Sequence, residues 1–349
     1  MRLEPKPAPS LAITLLYPAM AIVATFVIAA VLVMIAGAEP LQVFALVLKG
    51  AVGSQFALVE TLTRATPLIF TGLAIAVAFR AKLWNIGAEA QLYAGAVMTV
   101  LLGTGAIAAP SVILIPIIIL GAMGAGALLL LGPAVLKTRF GVDEVVTTLL
   151  LNFIFLLFVS LLLEGPLKDP MGLGWPQSER IIAEARLPRI IQGKRLHLGF
   201  VIAIISAISV WLIMAKSVLG YEMRAVGHNP EAARFAGIPV NRVLVKTALL
   251  SGGLAALAGV SEVAGLKGSL TLDISPGFGY TGIVVAMLAL LNPLGVVVSA
   301  IFVAGIFVGA DAMSRSAGVP SYISDVMVAT ALLSMVTAIM LTRFRIRWK

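Results

Sequence analysis
Ten runs of roughly twenty apolar residues leave this 349-residue chain few folds to choose from. They lie near 11–36, 57–79, 86–103, 111–136, 145–164, 198–214, 244–264, 278–291, 294–310 and 322–342. In hydrocarbon every backbone N–H and C=O must be satisfied internally, which a helix of about 20 residues does while crossing the bilayer. With 60% of residues hydrophobic and 12% charged, and a mean hydropathy of +1.07, the chain has too little polar surface to coat a water-soluble body. The expected fold is all-α and polytopic, a single membrane domain over residues 1–349 with about ten transmembrane helices. The first run is too long for the core of a secretory signal and is read as a retained span.

Basic residues orient the spans. With the N-terminus cytoplasmic, the segments on that side carry 15 of the 25 basic and 6 of the 16 acidic residues, so the whole formal net charge of +9 lies on one face. Both termini are then cytoplasmic, and the basic balance is a topology signal rather than a footprint for nucleic acid. The external loop 165–197 departs from the rule, with Lys168, Arg180, Arg186, Arg189, Lys194 and Arg195. Its Pro and Gly content suggests an irregular cap with one short amphipathic helix near 178–185. Spans two to five start outside and spans seven to ten start inside, on either side of the run 198–214, which predicts two inverted four-helix repeats around a central pathway.

A polar island, Gly220 to Arg242, stands inside the cytoplasmic loop 216–242 and reads as one short helix marked at both ends. Asn229 caps its first N–H groups, Pro230 suits the first helical position, Gly237 can take the left-handed conformation that ends it, and Pro239 bars continuation. With Arg224, Gly227, Asn229, Ala232, Ala233, Gly237 and Ile238 in its spacing, the island resembles the coupling segment of permease subunits of bacterial ABC importers. The nearest type carries nucleosides and simple sugars, within the branched-chain amino acid/ribose permease superfamily. NIGAEAQLYAGA over 85–96 is similar to the NIGAEGQ signature of the nucleoside-type permeases, with Ala90 where that family usually has Gly. RFGVDEVVTTLLLNFI over 139–154 resembles the same family.

The resemblance implies a division of labour in a bacterial cytoplasmic (inner) membrane. ATP-binding cassette subunits grip Asn229, Pro230, Glu231, Ala232, Ala233, Arg234 and Gly237, with Ala232, Ala233 and Ala236 as the slim face of the coupling helix. A second permease subunit, a paralogue, completes the pathway. An extracytoplasmic solute-binding protein docks on the external loop, where Arg180, Arg186 and Arg189 offer partners for its carboxylates. ATP is consumed by the partner subunits, since the chain has no GxxxxGK[ST] loop. No cofactor, metal or catalytic centre of its own is expected: cysteine is absent and His197 and His228 are isolated.

Polar groups within the spans are the candidates for a pathway: Asn85, Glu89, Gln91, Asn152, Phe278 and Tyr280. Asn85 is expected to cap the following helix, which sets Glu89 near its positive end. The turn SPGFG before Tyr280 suggests a short re-entrant segment whose aromatics can stack on a flat base. Each residue also has a structural reading, as a turn lock, an interhelical bridge or an interfacial anchor. The glycine sets Gly121, Gly124, Gly126 and Gly252, Gly253, Gly259 read as close helix contacts. Nucleosides are the leading solute and simple sugars the alternative. An ion-coupled secondary transporter is the rival from another class, but it calls for several acids deep in the spans, and Glu89 alone qualifies.

Overall fold
The computed structural model describes residues 2–5, 11–35, 37–317 and 344–347, with scattered positions between 322 and 337. A short ribbon joins the two ends of the chain: β1 (Arg2–Pro5) pairs antiparallel with β2 (Phe344–Arg347). Most of the described residues between are helical. In chain order come α1 (Leu11–Ile35), α2 (Pro40–Val52), α3 (Gln55–Arg80), α4 (Ala88–Gly103), α5 (Ser111–Phe140) and α6 (Glu144–Glu164). They are followed by α7 (Gly199–Lys216), α8 (Val218–His228), α9 (Pro230–Phe235), α10 (Val240–Glu262), α11 (Phe278–Leu288) and α12 (Pro293–Ala317).

Among the described residues six helices are long and apolar enough to cross a membrane: α3, α5, α6, α7, α12, and α10 together with the π-helical turn Val263–Lys267 that extends it. The end of α1 and α2, bent by 115°, make a seventh candidate when the pair is counted as one broken span; the separate helix α2 was not anticipated. The run 322–342 lies largely outside the described residues. Two other expected spans are shorter than a crossing. At 1.5 Å per residue, the 16 residues of α4 and the 11 of α11 extend only about 24 and 17 Å, against a hydrocarbon core of about 30 Å.

The chain divides into two compact units. In the unit of residues 1–61 and 302–349, α2 lies against α12 at glycine contacts: a Cβ on Gly309 would stand 2.3 Å from the Val47 carbonyl oxygen, and one on Gly50 2.4 Å from Ala312 Cβ. Phe26 of α1 meets Phe44 of α2 edge-on at 5.4 Å. In the unit of residues 62–301, α3 and α10 are the buried centre, while α5, α6 and α7 turn apolar faces outward. Without water to drive association, packing depends on backbones coming close. Gly252 sits 2.2 Å in Cβ terms from the Gly126 carbonyl oxygen, and Gly259 and Gly95 make equally tight contacts to Leu92 and Ala256. Of the glycines read as contacts, Gly124 instead faces open space. The expected helix near 178–185 is only a 3-10 turn, Ala183–Ala185; Ser178 N and Ile181 N donate to Leu270 and Gly268 carbonyls rather than to a helix ladder.

Candidate functional site
The N-termini of the two short helices meet. A Cβ on Gly279 of α11 would lie 2.3 Å from the backbone nitrogen of Glu89 in α4, so only glycine permits this approach. Glu89 fills the junction: its Oε2 accepts from Gly279 N at 2.6 Å, which sets a carboxylate against the positive ends of both helices. Ser275 Oγ caps α11 by accepting from Phe278 N at 2.9 Å and Gly277 N at 3.2 Å. The chain before it is tied down where Tyr93 OH donates to the Leu272 carbonyl at 2.5 Å.

The junction lies within the depth of the bundle. Asn152 of α6 donates through Nδ2 to the Ile86 carbonyl at 2.9 Å and to Tyr280 OH at 3.1 Å, and its Oδ1 accepts from Ala90 N at 3.0 Å. Eight residues separate Asn152 from Glu144 at the start of α6, about 12 Å of helix. Asn85 donates to Ser251 Oγ at 3.0 Å, in the middle of α10. The segment 81–87 therefore doubles back into the bundle after α3, and the segment 268–277 does the same after α10.

The six polar and aromatic candidates separate by exposure. Asn85 and Gln91 are both fully buried and exchange hydrogen bonds at 2.9 Å in each direction. Ser251 continues the network to the Ala74 carbonyl at 2.7 Å. Asn85 does not cap α4 as expected; Gly87 holds that position, and Asn85 Oδ1 accepts from Gly87 N itself. Glu89, Asn152 and Phe278 are buried, and Tyr280 at 40% is the one exposed member.

The polar island folds as two helices. Asn229 Oδ1 accepts from Glu231 N and Ala232 N at 2.9 and 3.1 Å, Pro230 opens α9, and Gly237 follows at φ +82°. The exposed face differs from the expected one. Ala233 is buried against its own chain, whereas Phe235 is 97% exposed, flanked by exposed Ala232, Arg234 and Ala236. Upstream, α8 rests on the end of α3: a Cβ on Gly227 would stand 2.0 Å from the Arg80 carbonyl oxygen. Arg80 in turn donates to the Leu291 carbonyl at 3.2 Å, just past α11, in a bend where Leu290 and Leu291 both have positive φ.

The loop 165–197 is an irregular cap. His197, buried outside the spans, has its pKa lowered to about 4 by burial and stays neutral; its Nδ1 accepts from Gly199 N at 3.2 Å. A cavity of about 790 Å³ opens between this cap and the first turns of α5 and α7, with Arg186 and Arg189 in its lining.

Residues 57–342 match the family described as "Branched-chain amino acid transport system / permease component". The chain belongs to that permease family. Among its relatives, the guanosine ABC transporter permease protein NupP of Bacillus subtilis is 35% identical over 91% of this chain and 92% of its own. The glucose ABC transporter permease protein TsgB13 of Haloferax volcanii is 33% identical over 94% and 89%, and the nucleoside ABC transporter permease protein NupB of Lactococcus lactis 31% over 90% and 88%. No solved structure matches the chain.

Family membership does not by itself single out the residues that complete these sites. Gly279, Ser275 and Tyr93 close the junction around Glu89; the motifs SPGFG and NIGAEAQLYAGA contain all three, but the sequence does not show that they meet there. Their partners stand far away in the chain, 190 residues in the case of Gly279 and Glu89. Phe235 carried a local signal that went unused, a lone large aromatic among the small and charged residues of a capped helix.

Proposed function
We propose that this chain is the transmembrane permease subunit of a binding-protein-dependent ABC importer, moving nucleosides inward while separate ATP-binding cassette subunits hydrolyse ATP. The observation that carries the reading is the junction of α4 and α11. Short helices whose N-termini meet within the membrane are how transporters build a permeation site, and they fall at corresponding places in inverted repeats. Here α4 and α11 are each the second element of a predicted four-span half, and α3 and α10, the most buried helices, are each the first. That correspondence supports two inverted repeats in which each short helix crosses together with the re-entrant segment before it; with the charge asymmetry, the reading is ten crossings of the cytoplasmic membrane with both termini inside.

In this reading Tyr280 meets the solute, held by Asn152, while Glu89 and Phe278 fix the junction beneath it. Asn85 and Gln91 lock the re-entrant segment before α4. The site offers a ring and hydrogen-bonding groups for a flat base and a ribose, and it releases its cargo readily because the binding protein supplies the affinity. That binding protein meets the outer surface of the loop 165–197, and a paralogous permease completes the pathway. Helix α9 is the ATPase-coupling element, with Phe235 as its anchor and Arg234 and Glu231 at the rim. Force entering there reaches α8, then Arg80, then the far end of α11.

Nucleosides are preferred because two of the relatives are named for them; the glucose permease relative keeps a sugar as the competing outcome. Whole-cell uptake of radiolabelled guanosine or uridine should require this gene, free ribose and glucose should compete poorly, and Tyr280→Ala should lower uptake with membrane expression unchanged. Competition by a free sugar with none by nucleosides would transfer the assignment to sugars.

A further inference from the structure
The cavity under the cap has an apolar shape that the transport reading does not use, and it is lined by Arg186 and Arg189, two of the cations expected from the sequence to meet a binding protein. Its walls are Val112, Ile115 and Ile119 of α5, Leu198 just before α7 and Ile202 within it. From Val112 to Ile119 the wall runs about 10 Å down the helix. At about 790 Å³ it is within the ordinary range of ligand sites. Its rim carries Arg186 and Arg189, both exposed and neither ion-paired to another described residue. The first turns of α5 and α7 add two positive helix ends beside them.

The occupant must be anionic at one end and hydrocarbon at the other. Among the described residues no acid, amide or aromatic side chain lines the cavity, and Ser111 is the only polar side chain besides the two arginines, so a base or sugar would leave its hydrogen-bonding groups unmatched. The walls run on into outward-facing apolar surface, where Val112 is 85%, Leu120 69% and Ile205 56% exposed, surface that a membrane helix presents to lipid. Basic pockets between transmembrane helices on the cytoplasmic side are recognised sites for anionic headgroups, and the same pairing of cation and phosphate is available to a lipid of the outer leaflet. We propose that this cavity binds an anionic phospholipid, its phosphate between Arg186 and Arg189 and one acyl chain against α5 and α7. The lipid ties the cap to the bilayer and gives a use to cations on a loop where the charge rule expects few. The inference rests on the chain spanning a membrane and not on the identity of the solute.

The test uses the purified full-length permease, delipidated in detergent, without binding protein. Dioleoylphosphatidylglycerol should raise its unfolding temperature by several degrees, while dioleoylphosphatidylcholine, inorganic phosphate and guanosine should not. Arg186→Gln with Arg189→Gln should abolish the shift, and Arg180→Gln, elsewhere on the loop, should keep it. An equal response to the zwitterionic lipid, a response to phosphate alone, or a shift that survives the double substitution would overturn the proposal. Native mass spectrometry of the wild type in an equimolar lipid mixture gives an answer independent of the variants. Retention of phosphatidylglycerol should exceed that of phosphatidylcholine by about thirtyfold, as two cations each worth about 1 kcal/mol at a lipid surface suggest; equal retention counts against it.

Discussion
Glu89 shows how one side chain can hold a junction that its neighbours in sequence do not reveal. A buried carboxylate is costly unless its oxygens are satisfied, and here one oxygen takes the Gly279 N–H that α11 could not otherwise satisfy within its own first turn. Removing it leaves a buried donor without an acceptor. Glu89→Ala should therefore destabilise the protein by about 1–3 kcal/mol, read as a lower unfolding temperature in detergent. Glu89→Gln, which keeps an acceptor but gives up the charge at two helix ends, should lose less. Equal behaviour of the two variants would mean that the charge, and not the Gly279 bond, is what matters at this position.

Single elements were legible to the degree that their determinants are local. The cap of α9 could be read because Asn229, Pro230 and Gly237 act on backbone within a few residues of themselves. Which side of α9 faces its own chain could not, since a six-residue helix has too few turns to display a periodic face; Ala233 was assigned to the docking face and is buried. Likewise the apolar runs 86–103 and 278–291 showed helices without showing depth, because composition does not say where in the bilayer a run begins. The exposed face now predicts the coupling contact. Phe235→Ser should leave membrane expression and unfolding temperature near wild type and cut uptake and solute-stimulated ATP hydrolysis at least about tenfold, the scale of losing one aromatic anchor from an interface. Ala233→Arg should instead lower stability, since its side chain has no room against its own chain. Normal ATPase stimulation in Phe235→Ser would remove α9 as the docking element.

At the scale of the whole molecule, the charge asymmetry and the two short helices argue for one arrangement. If α3 runs inward and α10 outward, then the re-entrant segments after them enter from opposite sides, and α4 and α11 leave their junction in opposite directions, as an inverted pair must. The orientation is open to direct test because the chain contains no cysteine, so a single introduced thiol reports alone. Gly227 is a poor position for one, with the Arg80 carbonyl oxygen where a Cβ would go, and Gly174 has a positive φ that disfavours any side chain. Exposed Gln192 on the cap and Ala236 after α9 are suitable replacements. Gln192→Cys should react with an impermeant maleimide in intact cells or spheroplasts, and Ala236→Cys only once the membrane is opened. The reverse pattern would invert the topology, place α9 beyond the reach of any cytoplasmic ATPase, and remove the coupling role while leaving the junction of α4 and α11 in place.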